Sequence, residues 1–226
     1  MDDLTLVQRI AIWAIPLIFA VTVHEAAHGW AADKLGDPTA RNLGRITLNP
    51  IPHIDPIGTL LVPILMLTFT GFLIGWAKPV PVLQARLNSP RRDMAIVAAA
   101  GPGVNLLMAF IWSLVLLLAH NLVHSLPMVA MPLLLMSVAG VFVNLVLMAL
   151  NLLPVPPLDG SRVVNGFLPA RVSHLYMKLE PYGMFILIGL LVSGIVGKIL
   201  LPIVIGSVNL LPGSAQVLGI LPVLFP

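Results

Sequence analysis

A His-Glu-x-x-His signature written into a membrane-length apolar run constrains this chain more than any other feature. His24-Glu25-Ala26-Ala27-His28 follows Ile10 to Val23, a stretch without a charged side chain, and Ala26, Ala27, Gly29 and Trp30 keep its surroundings apolar. On a helix, residues four apart sit about 40° apart around the axis and one turn up. Both imidazoles therefore share one face and can take two positions on one Zn²⁺. Glu25 projects to the adjoining side, where a carboxylate can take the proton of an attacking water. The surrounding segment is long enough to cross a bilayer. The expected chemistry is hydrolysis inside or at the edge of a membrane.

Composition agrees. The chain is 58% hydrophobic and 9% charged, where a soluble domain carries about 25% charged residues. Its mean hydropathy is +1.02. This is the composition of a polytopic helical membrane protein, and membrane helices tolerate its 21 prolines and 18 glycines. With no cysteine there is neither a disulfide nor a thiolate metal site, so a metal must be held by His, Asp, Glu or backbone oxygen. The pI near 9.7 reflects basic residues held at one membrane face, and no nucleic-acid partner is expected. The first apolar segment carries HEAAH and lacks a small-residue cleavage site, so it is expected to be retained.

Apolar segments fall at 5–32, 57–77, 94–119, 129–155 and 183–211. Ten of the twelve Lys and Arg residues lie in three stretches: Lys34, Arg41 and Arg45; Lys78, Arg86, Arg91 and Arg92; Arg162, Arg171 and Lys178. The positive-inside rule puts these three at the cytoplasmic face and the uncharged-by-Lys/Arg loop near His120–Pro127 on the other side. Residues 57–77 then separate two cytoplasmic stretches. A re-entrant segment resolves that parity, with Gly58, Pro63, Thr68, Thr70, Gly71 and Gly75 as breakers. Arg45-Ile46-Thr47-Leu48 is expected as a short strand ended by Asn49-Pro50. The expected fold class is an all-α polytopic membrane protein. It has four or five transmembrane helices, the re-entrant segment and a short cytoplasmic-side β element. Residues 1–226 read as a single membrane domain, with its core at 10–185 and a C-terminal helix and tail at 183–226. The polar connections are too short for an accessory soluble domain.

A catalytic zinc site takes three protein ligands and keeps one position open. His53, His120, His124, His174, Asp33, Asp55, Asp93 and Asp159 are all candidates for the third. Asp159 stands out, because it closes Asn151-Leu152-Leu153-Pro154-Val155-Pro156-Pro157-Leu158-Asp159-Gly160 at the cytoplasmic end of the fourth segment, the depth expected for HEAAH. A plain Asp-Gly turn explains the same two residues about as well. Gly101-Pro102-Gly103-Val104-Asn105 supplies small residues that let helices approach closely. Asn105, Asn144 and Asn151 each need a hydrogen-bond partner within hydrocarbon, and bonding between helices supplies one. A rival functional class is a metal-ion transporter or sensor using the same His/Asp site. Transport needs ionisable groups along a path across the membrane, whereas these gather near one face.

HExxH in a membrane helix, a GPxxN start to a later helix and an NxxPxPxLDG end to another resemble the site-2 protease family of intramembrane zinc metalloproteases. Leu35-Gly36-Asp37-Pro38-Thr39-Ala40, Gly44-Arg45-Ile46-Thr47-Leu48-Asn49-Pro50, His53-Ile54-Asp55 and Gly75-Trp76-Ala77-Lys78-Pro79-Val80-Pro81-Val82 are similar to its compact prokaryotic branch, which lacks PDZ and CBS domains. The resemblance spans residues 10–185. It implies one Zn²⁺ per chain held by His24, His28 and Asp159, with Glu25 as catalytic base. Asn151 and Asn105 match family positions and are candidates for binding substrate or the oxyanion. The resemblance further implies transmembrane protein substrates, regulated intramembrane proteolysis, and a place in the bilayer of a prokaryotic cell membrane with the site toward the cytoplasm. A helical substrate pairs all its backbone groups internally, so it must unwind before attack. The Arg45–Leu48 strand could pair with the unwound stretch.

Overall fold

The computed structural model describes residues 5–61 and 77–224. Helix α1 spans Leu6–Lys34. Thr5 starts it with a reciprocal cap: the Gln8 N–H donates to the Thr5 hydroxyl oxygen at 3.3 Å, and the Thr5 N–H donates to Gln8 Oε1 at 2.9 Å. At 29 residues the helix is about 43 Å long, more than the roughly 30 Å hydrocarbon core requires. HEAAH therefore falls in its last three turns, toward one membrane face.

A connection follows that contains the short helix α2 (Thr39–Asn42), a 3₁₀ turn at Ile51–His53, a wider helical turn at Pro56–Leu61 and a second 3₁₀ turn at Gln84–Arg86. Helix α3 (Pro90–Leu122) and helix α4 (Pro127–Asn151) both begin with proline, whose missing N–H costs nothing at a helix start. The Asp93 carboxylate accepts the Ser89 N–H at 2.7 Å and closes the first turn of α3. Beyond a turn with a cis Pro156–Pro157 bond come α5 (Asp159–Phe167), α6 (Ala170–Met177), α7 (Gly183–Val192), α8 (Ile195–Asn209) and α9 (Ser214–Leu224).

Helix α3 packs most extensively against α4 and then against α1, which also touches α4; α5 lies on α3, and α8 and α9 lie on α4. The centre holds Ala109, Leu116 and Ala119 of α3, Val138, Val141 and Leu145 of α4, Val208 of α8 and Val217 of α9, all fully or almost fully buried. Small residues at these contacts suit helices associating in lipid, where close packing replaces the hydrophobic drive. The outward faces carry Ile15, Ile18, Leu107, Ile111, Leu114 and Leu118, exposed as lipid-facing side chains are. Four stretches are long and apolar enough to cross a membrane: Val7–Lys34, Pro90–Leu122, Pro127–Asn151 and Ala170–Val192.

Two expectations change. Among the described residues there is no strand, and Arg45–Leu48 is irregular. Local side chains satisfy its backbone instead: the Asn49 N–H donates to Thr47 Oγ1 and the Ile51 N–H to Asn49 Oδ1, each at 3.1 Å. Such turns compete with a ladder. The segment 183–211 is divided at Ser193–Gly194 into α7 and α8. Of the expected re-entrant segment 57–77, residues 62–76 lie outside the described residues.

Candidate metal centre

Three helices bring His24, His28 and Asp159 to one point. His24 and His28 lie one turn apart on α1, with ring centroids 4.6 Å apart and planes at 87°. Asp159 opens α5, which α3 holds in place. His24 Nε2 is 3.0 Å from His28 Nε2, and Asp159 Oδ2 lies 3.2 Å from the first and 3.3 Å from the second. Four ligands at about 2.0–2.1 Å around a tetrahedral zinc stand about 3.3–3.4 Å apart. The triangle is thus close to the size of one face of such a site.

The hydrogen-bond network explains why these atoms face one another. Asn144 Nδ2 donates to the Gly140 carbonyl at 2.8 Å, which leaves Asn144 Oδ1 to accept from Asn105 Nδ2 at 2.9 Å. Asn105 Oδ1 then faces His24 Nδ1 at 2.5 Å, so that nitrogen carries the proton. His28 Nδ1 faces the Val97 carbonyl at 2.8 Å and must also donate. Both Nε2 atoms therefore present lone pairs, beside a carboxylate oxygen. Three acceptors crowded together repel unless a cation lies among them, so the donor set fits Zn²⁺. Gly101 of α3 makes room: a Cβ there would stand 2.5 Å from His24 Cε1 and 2.6 Å from both His24 Nε2 and His28 Cε1.

Glu25 sits beside the triad, and its Oε2 accepts the Val80 N–H at 2.7 Å. All four side chains line a cleft of about 280 Å³ that Asn151 and Arg162 also border. Asn151 Nδ2 donates to the Leu147 carbonyl at 3.0 Å, and Arg162 pairs with Glu180 at 3.2 Å. Asn105 differs from the expectation of a substrate contact: it is wholly buried, and both ends of its amide are taken by His24 and Asn144.

The other candidate ligands lie apart. His53 is buried, with Nε2 3.2 Å from the Thr47 carbonyl oxygen. Asp93 caps α3, and Asp33 pairs with Arg41. His120 and His124 end α3 and begin the next loop, and His174 is exposed on α6. Among the described residues, His24, His28 and Asp159 are the group of His and acidic side chains close enough together to hold a metal ion.

The sequence phrases contain Val80, Arg45 and Asp37 without showing the part that each plays around the site. The Arg45 guanidinium donates to the Lys78 carbonyl at 2.8 Å and to the Pro79 carbonyl at 3.3 Å. Asp37 accepts the Leu83 N–H at 2.6 Å, the Thr39 N–H at 3.1 Å and the Thr39 hydroxyl. Burial pushes the Asp37 carboxyl up. Bonds from the Thr39 hydroxyl and the Leu83 and Thr39 amides, with the Arg86 charge, outweigh it and hold the group below the usual carboxylate range. The Asp37-Pro38-Thr39 phrase carried the signal, since Asp readily bonds the backbone two residues on.

The profile of Peptidase family M50 matches residues 121–194, from the end of α3 through the LDG turn to α7. The candidate zinc metalloprotease YwhC of Bacillus subtilis (strain 168) is 39% identical over 189 residues, covering 83% of each chain. The chain belongs to the site-2 protease family, peptidase family M50. It is a zinc metalloprotease. The candidate zinc metalloprotease Rip2 of Mycolicibacterium smegmatis (strain ATCC 700084 / mc(2)155) is 29% identical over 176 residues, 78% of this chain and 64% of that one. Rip2 of Mycobacterium tuberculosis (strain ATCC 25618 / H37Rv) is 30% identical over 186 residues, 82% of this chain and 66% of that one. No solved structure matches the chain. Family membership makes Zn²⁺ the cofactor that the acceptor triangle calls for.

Proposed function

We propose that this M50 protease is an intramembrane endopeptidase, cutting peptide bonds in or near transmembrane segments of membrane-protein substrates as part of regulated intramembrane proteolysis. The observation that carries the reading is the meeting of three acceptor atoms on one point, with Glu25 alongside, at the end of a helix long enough to span a bilayer. His24, His28 and Asp159 hold the metal. Bound there, Zn²⁺ supplies Lewis acidity, making water a nucleophile near neutral pH and polarising the scissile carbonyl. Glu25 takes the proton of the attacking water and returns it to the leaving amine. Asn151 gives one amide N–H to Leu147 and has a second for the substrate's developing oxyanion. Asn105 acts behind the centre, fixing the ring and tautomer of His24. Substrate helices must unwind to expose a carbonyl. The three basic stretches support an orientation with the site toward the cytoplasm, and the reading puts the protein in a prokaryotic cell membrane.

Replacing Glu25 by Gln tests the reading. Gln keeps an oxygen to accept from Val80 but cannot carry a proton away. The variant should bind zinc fully and cleave a labelled transmembrane peptide about 10²- to 10⁴-fold more slowly, the usual contribution of a general base. Cleavage at the wild-type rate by a zinc-loaded Glu25→Gln protein would overturn the mechanism. A transporter using the site for metal passage would be indifferent to the loss of a base.

A further inference from the structure

We infer that the main-chain N–H of Val80 is a positioning donor for Glu25, delivered by residues 77–83 acting as a strap pinned across the site. The inference rests on Glu25 being the catalytic base. Val80 lies between Pro79 and Pro81, which have no N–H. It is therefore the one main-chain donor in residues 79–81, and it is spent on Glu25 Oε2 at 2.7 Å.

The strap is anchored on both sides of that bond. The Lys78 N–H donates to the His53 carbonyl at 2.9 Å, and Arg45 reaches the Lys78 and Pro79 carbonyls. On the far side the Leu83 N–H is held by buried Asp37 at 2.6 Å. The Val80 side chain is itself buried, seated against α1 where residue 29 is glycine. A Cβ there would stand 3.1 Å from Val80 Cγ1, and equally close to Ala40 and Ile46. Gly29 follows His28 directly, so the strap touches the helix within a turn of Glu25.

A Glu side chain has three rotatable bonds, and on a helix it sweeps a wide arc. A donor fixed by four other contacts holds one carboxylate oxygen in place and leaves Oε1 to take the proton. Pre-placement of a reacting group of this kind lowers the entropy cost of the step. Lys78, Pro79, Val80 and Pro81 thus contribute through main-chain geometry: the prolines stiffen the strap and withhold competing donors.

The test replaces Val80 by its α-hydroxy acid analogue, which turns the Pro79–Val80 amide into an ester. The change removes the N–H and weakens the Pro79 carbonyl as an acceptor for Arg45, a loss carried equally in a Glu25→Gln background. Valine inserted by the same suppression route is the reference. Zinc content, KM and kcat are measured on a labelled transmembrane peptide in liposomes. The expected result is full zinc, an unchanged KM and a kcat lower by about ten- to hundredfold, the range for a hydrogen bond to a charged group. In a Glu25→Gln background the same ester should cost nothing more, read under single-turnover conditions at high enzyme concentration. Unchanged kcat, or equal losses in both backgrounds, would overturn the inference. Should the ester protein lose its fold, Gly29→Ala decides instead, since it presses on Val80 Cγ1 with every amide intact. It should lower kcat in the Glu25 protein alone, and a wild-type kcat or equal losses would overturn the inference. Failure of the endopeptidase reading is distinguishable, because it would appear already as wild-type cleavage by Glu25→Gln.

Discussion

At the scale of single residues, the centre depends on groups that leave His24 and His28 no other hydrogen-bonding choice. Gly140, Asn144 and Asn105 form one chain of donors and acceptors ending at His24 Nδ1. Asn144→Ala should therefore weaken zinc binding although it touches no ligand. Loss of such outer partners typically costs about 10- to 100-fold in metal affinity, measurable by competition with a chromogenic chelator. Asp159→Ala should remove stable zinc altogether, and full occupancy by mass spectrometry in that variant would take Asp159 out of the ligand set. Gly101→Val should also abolish zinc binding, because even a Cβ would stand 2.5–2.6 Å from both imidazoles.

Among elements, the connection between α1 and α3 does more than link helices. Asp37 ties its two ends together, and its pKa is depressed in the folded protein. A depressed carboxylate stabilises above its unfolded pKa, about 3.9, and that contribution is lost as pH falls through the folded value. Wild type should therefore lose thermal stability on acidification below about pH 4. Asp37→Asn should be less stable at pH 7 and show a smaller acid-dependent loss, followed by melting in detergent. An equal acid dependence in both proteins would show that Asp37 is not the group responsible. The same connection bears on topology. With no native cysteine, single cysteines at Thr39 and Gln84 can be labelled with an impermeant thiol reagent from each side of oriented vesicles. Both should label from one side; labelling from opposite sides would mean that residues 57–77 cross the membrane.

For the whole molecule, the bundle gathers His24, Glu25, His28 and Asp159 toward one end of α1, while His120 and His124 lie at the end of α3 and in the α3–α4 turn. A cysteine at Ser125, in the α3–α4 turn, should label from the side opposite Thr39. Labelling from the same side would contradict the arrangement in which α1, α3 and α4 each cross once. The three helices differ in task. α1 carries the imidazoles and Glu25, α3 supplies Gly101, Asn105 and the Val97 carbonyl, and α4 ends in Asn151 and leads into Asp159. Removing any one crossing would separate the site into parts.

The sequence by itself determined the membrane-helical class, the HEAAH pair and the special standing of Asp159. The first two rest on local arithmetic, hydropathy over about 20 residues and an i,i+4 spacing. Asp159 stood out by its expected depth after a proline-rich turn, and its ligand role came from the family resemblance. Tertiary structure alone decided the rest. Arg45–Leu48 had the composition of a strand, but Thr47 and Asn49 side chains satisfied the backbone and Arg45 turned toward the strap. Asn105 could have met substrate or a neighbouring helix; burial between His24 and Asn144 chose the second. Val80 offered no signal, because the group it contributes is a peptide N–H that every residue but proline possesses. Its meaning comes from 55 residues of separation closed to 2.7 Å, a distance set by how the connection folds back over α1 and by nothing in the residue itself.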